Sequence, residues 1–99
     1  MKTYRGTRGI DGLVVTVDDR PLDPHYDLKR ISHCGFEWTF EGAAPAQLAL
    51  AILVDHFGDD QKALALHEAY MREVIANLDN DWEITSADIE KTLGALETP

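Results

Sequence analysis

The sequence predicts an α+β domain in which an antiparallel sheet of three to four strands carries three helices on one face, in the order β-β-β-α-α-β-α. Three observations predict it. Residues 2–18 carry a hairpin pattern, aromatic side chains alternate at Phe36, Trp38 and Phe40, and two long helical segments meet at Gly58. Ninety-nine residues fit one domain covering 1–99, and a chain of this length removes about two thirds of its unfolded surface from water on folding. At 44% hydrophobic and 27% charged residues, the composition is that of a globular protein and argues against disorder.

The elements follow in order. Lys2–Arg8 reads as a first strand, Gly9-Ile10-Asp11-Gly12 as a tight turn and Leu13–Asp18 as a second strand, with Leu13, Val15 and Val17 on the core side and Lys2 and Arg5 in water. Pro21 and Pro24 break any period between Asp19 and Cys34, so this stretch is expected to be a crossing loop pinned by Tyr26, Leu28 and Ile31. The alternation at 36, 38 and 40 predicts a third, half-buried strand whose rings all face the core. Pro45 is expected at the first position of a central helix, where its missing N–H costs nothing, and Gly58 at its end. Because that helix is apolar nearly all round, it should be packed on more than one side. The next helix, about Asp60–Leu78, places Leu64, His67, Met71, Val74, Ile75 and Leu78 on one stripe. After the turn at Asp79-Asn80-Asp81, Trp82–Ile84 reads as a short strand. Thr85 or Ser86 then starts a last helix to about Leu96, with Asp88 completing a capping box from Thr85.

Charge narrows the classes of function. The net charge is −9, divided as +1 over residues 1–32 and −10 over residues 33–99. Such a balance argues against direct nucleic-acid binding, because phosphates need a basic surface to displace their counterions. Acidic surfaces keep small proteins soluble, and the same balance permits binding to a basic protein surface. The longest apolar run, Leu48–Val54, is well short of the roughly 20 residues that span a bilayer. No signal-peptide core is seen, and the one cysteine cannot close an intrachain disulfide. A soluble protein of the cytoplasm is expected.

Several groups could carry chemistry. Asp55, His56, Asp59 and His67 gather around the junction of the two long helices as a candidate divalent-metal group, although carboxylates there also suit the N-terminus of the second helix. Asp79, Asp81, Glu83, Thr85 and Glu90 fall at calcium-loop positions one, three, five, seven and twelve. However, Ile84 stands where that loop needs glycine. His33-Cys34 places a base beside a thiol, but neighbours on an extended chain point apart, which suits a structural cysteine. The residues after Gly42 lack a phosphate loop's lysine. They leave the first-turn amides of Ala46 and Gln47 to be capped, with Gln47 placed to reach back. Arg5, Arg8, Arg20, Lys29 and Arg30, with Tyr4 and Tyr26, could form a local basic patch. Ion pairs with Asp18, Asp19 and Asp23 account for the same residues. No catalytic residue and no cofactor is expected.

Lys2-Thr3-Tyr4-Arg5-Gly6, Arg20-Pro21-Leu22, Gly35-Phe36-Glu37-Trp38 and Pro45–Ala51 together resemble a family of small uncharacterised proteins of bacteria, archaea, phages and plasmids. The chain departs from that pattern at Ala43 and Ala44. The resemblance implies a mobile-element origin, similar in style to anti-restriction and anti-CRISPR inhibitors, and implies no established activity. The expected function is therefore a non-enzymatic protein-binding module. Its acidic face of Glu68, Glu73, Asp79, Asp81, Glu83, Asp88 and Glu90 would occupy a basic surface, for instance on a nucleic-acid-processing complex. The alternatives are a structural or homo-oligomeric module, such as a homodimer, and a metal-dependent enzyme using the Asp55 group.

Overall fold

The computed structural model describes residues 2–10, 12–33 and 35–97. Strands β1 (Thr3–Gly9), β2 (Gly12–Val17), β3 (Arg20–Pro21) and β4 (Trp82–Thr85) form an antiparallel sheet in the order β3-β2-β1-β4. Helices α1 (Ala43–Phe57), α2 (Asp60–Glu73) and α3 (Ser86–Glu97), with a 3-10 turn at Ile75–Asn77, complete an α+β fold in the expected element order.

The pleat decides which side of the sheet is covered. Tyr4 lies opposite Val17 and Ile84, and Gly6 lies opposite Val15 and Trp82; all of these are buried. Arg5, Thr7, Val14 and Glu83, one residue out of phase, are exposed on the other face, as a period of two requires. The helices therefore cover a single face. Against it lies α1, buried from Pro45 to Val54, with α2 packed on α1 through Ala63, His67, Tyr70 and Met71. The apolar, uninterrupted sequence of α1 has this cause: it is enclosed by the sheet on one side and by a helix on another.

The third strand is not where the aromatic alternation places it. Residues 35–41 form no strand, and the third strand is the two-residue β3, inside the stretch expected to be a loop. Gly35 and Thr39 both have positive φ, at 82° and 81°, so the chain turns on either side of Trp38 instead of running straight. Trp38 alone enters the core. Its ring meets Trp82 edge to face at 5.6 Å, and its Nε1 donates to the Asn80 carbonyl at 3.2 Å. Phe36 is half-buried, and Phe40 is 49% exposed.

Two helix boundaries also move. α1 starts at Ala43, so Pro45 is its third residue, still within the first turn where an amide is not needed. Ala46 N–H consequently reaches the Gly42 carbonyl at 3.0 Å. Gln47 does not cap. It is fully buried, its Oε1 accepting from the Ile31 and Ser32 amides and its Nε2 donating to the Pro24 and Lys29 carbonyls. This side chain ties the stretch after β3 to α1, and Leu22, Leu28 and Ile31 pack beside it. Tyr26 is half-buried, with the Arg30 guanidinium 4.3 Å from its ring centre. α2 ends at Glu73, five residues before the expected limit, and the chain tightens into the 3-10 turn.

Candidate functional site

The junction of α1 and α2 disperses the proposed metal ligands. Gly58 closes α1 in the left-handed conformation, at φ 67°, and Asp59 then caps α2 by accepting from the Gln61 and Lys62 amides. Asp55 accepts from the Tyr4 hydroxyl at 2.7 Å and from Lys2 Nζ at 3.0 Å. His56 Nε2 lies 2.5 Å from Glu90 Oε1, which ties α1 to α3. His67 is buried, with Nδ1 2.7 Å from the Leu64 carbonyl oxygen. Each of the four has its own partner, and no group of three metal-ligating side chains occurs among the described residues.

The calcium-loop spacing is likewise taken up by structure. Residues 82–85 are strand β4. Asp81 accepts from the Arg8 amide, Glu83 pairs with Arg5 at 2.7 Å, and Glu90 meets His56. Thr85 and Asp88 form the expected capping box: the Thr85 amide donates to Asp88 Oδ2 at 3.0 Å, and the Asp88 amide donates to Thr85 Oγ1 at 3.2 Å. The Thr85 amide, as the largest influence, holds the Asp88 carboxyl below the usual carboxylate range.

Two of the basic residues expected to form a patch are taken up by ion pairs, and the guanidinium of Arg30 lies over the Tyr26 ring. Arg5 is shared between Glu83 and Asp19, while Arg8 binds Glu37 at 2.6 Å and lies over the Trp38 ring. Tyr4, expected beside that patch, is completely buried; its burial, then its hydrogen bond to Asp55, push its phenol pKa upward. Cys34 lies outside the described residues.

The seven acidic residues divide into two sets. Asp81, Glu83, Asp88 and Glu90 are engaged within the fold as described above. Glu68 and Glu73, on the exposed side of α2, and Asp79, in the turn that follows, have no ion pair or side-chain hydrogen bond among the described residues. Glu73 and Asp88 meet across a groove of about 460 Å³ between the end of α2 and α3, whose lining includes Val74, Lys91, Ala95 and Leu96. The sequence reading missed this groove, and also Tyr70, which is 1% exposed. Its burial, then the nearby Asp88 charge, raise its phenol pKa. The signal for Tyr70 was in the sequence, where Ala63, His67 and Tyr70 follow at four- and three-residue spacing as on a buried helix face; the groove left none.

No helix among the described residues is long and apolar enough to cross a membrane. A model of a family of unknown function, DUF6166, matches residues 4–95 of the chain. No curated protein and no solved structure matches it.

Proposed function

Because the chain belongs to DUF6166, a family of unknown function, its role is read from its own surface, and we propose that it is a non-enzymatic module that binds a basic protein surface. One observation carries this reading. Glu68, Glu73 and Asp79 are exposed and unpaired among the described residues, in a molecule of net charge −9. Carboxylates already ion-paired within the fold, as Glu83 is with Arg5 and Glu90 with His56, have less to offer a partner, whereas those without a cation attract a cationic surface from a distance and orient its approach. A mobile-element inhibitor of a nucleic-acid-processing complex is the finer form of the proposal, since such complexes present basic grooves. The test is to capture a partner from lysate on the immobilised chain, purify it, and measure rebinding at about 50 and 300 mM salt, a range over which screening changes appreciably. Binding should weaken at the higher salt and with Glu68→Lys and Glu73→Lys. Equal binding in all four conditions would refute the reading.

A second reading, self-association, draws on the uncovered face of the sheet and its hairpin turn. Val14 is 56% exposed there, and Ile10, in the turn, is fully exposed. Light scattering decides this one: a stable dimer that Val14→Lys dissociates would support it, and a monomer at all concentrations would end it.

A further inference from the structure

We propose that the groove between the end of α2 and α3 is the docking site for a peptide segment in which an Arg or Lys stands next to a Leu-sized apolar side chain. The inference rests on the protein-binding reading and adds the place and the chemistry of the guest. Its volume of about 460 Å³ falls within the range of about 300–1,000 Å³ that small-ligand pockets occupy. Val74, Ala95 and Leu96 supply an apolar surface for one guest side chain, and Glu73 and Asp88 supply negative charge for its neighbour. Asp88 is fixed in place by its capping bonds to Thr85, so its position needs no ordering when a guest arrives. Glu73 has no partner to give up among the described residues.

Lys91 also lines the groove, so a guest cation enters from the Glu73 side and competes with Lys91 for Asp88. Phosphate-bearing guests are disfavoured by both carboxylates.

The test is a titration of the isotope-labelled full chain, followed by amide chemical shifts, with three blocked hexapeptides: alternating Leu and Arg, its Ser-for-Leu counterpart and its Glu-for-Arg counterpart. The Leu/Arg peptide should shift the amides of Val74, Asp88, Lys91 and Leu96 saturably, and the other two should bind at least about tenfold more weakly. Glu73→Gln should weaken it about threefold, and Lys91→Gln should tighten it by a similar factor, within the range of exposed ion pairs. Shifts confined to other acidic residues, or equal binding of the Ser counterpart, would overturn the groove while leaving the protein-binding reading intact. No response to either cationic peptide would overturn the groove and count against that reading as well.

Discussion

At the scale of single residues, Gln47 shows how one polar side chain can organise a loop. Its four hydrogen bonds, made while fully buried, give the proline-broken stretch before it a fixed course over α1. Gln47→Met, which keeps the volume and removes the bonds, should cost about 3 kcal/mol in chemical denaturation, because the Ile31 amide and the Pro24 carbonyl lose their partner. A loss under about 1 kcal/mol would mean that other contacts hold the loop. A second residue-scale constraint lies under β4. A Cβ on Gly6 would sit 2.3 Å from the Trp82 ring, so Gly6→Ala should destabilise by about 1–3 kcal/mol. Trp82→Leu should relieve that cost in the double variant; additive losses would show that the two do not share the space. Neither role was legible in the sequence. A glutamine after proline reads as a cap, and a glycine in a strand reads as a neutral interruption, until the packing across the sheet is known.

At the scale of elements, the parts that were legible carry their own local physics. The hairpin, the Gly58 stop, the strand at Trp82 and the Thr85/Asp88 capping box depend on residues close in sequence, and each is found where it was expected. The supposed strand at Phe36–Phe40 failed because alternation records spacing and not backbone direction. Positive φ at Gly35 and Thr39 turns the segment into a loop anchored by Trp38. Two caps can be tested separately. Asp59→Ala removes the acceptor for two α2 amides and should cost about 1 kcal/mol of stability; no change in the melting midpoint would contradict the assignment. The Asp88 cap carries a pH signature. Its folded pKa is depressed, so its contribution is present above the unfolded value of about 3.9 and is lost as pH falls through the folded one. Asp88→Asn should flatten that part of the acid limb, and an unaltered limb would show that the cap is not charge-assisted.

At the scale of the whole molecule, the sheet and α1 bury two phenols that titrate only with difficulty. Tyr4 and Tyr70 both have raised pKa values, chiefly through burial. Their contribution is therefore complete below the unfolded tyrosine value of about 10 and is lost as pH rises from there toward the folded values. The Tyr4→Phe variant should lose less stability than the parent between about pH 10 and 12; identical alkaline limbs would contradict this. The same scale explains why the binding surface was only half legible. Net charge can be read from composition, but which carboxylates are already engaged depends on strand register and helix packing. Glu83 faces Arg5 across the sheet and Glu90 meets His56, whereas Glu68, Glu73 and Asp79 are left unpaired among the described residues. The most direct measurement is the association rate of the purified partner with two charge-reversed variants, Glu73→Lys and Glu83→Lys, at low salt. The Glu73 variant should associate several-fold more slowly and the Glu83 variant close to the parent rate, whereas equal slowing by both, or by neither, would contradict a division of labour between paired and unpaired carboxylates.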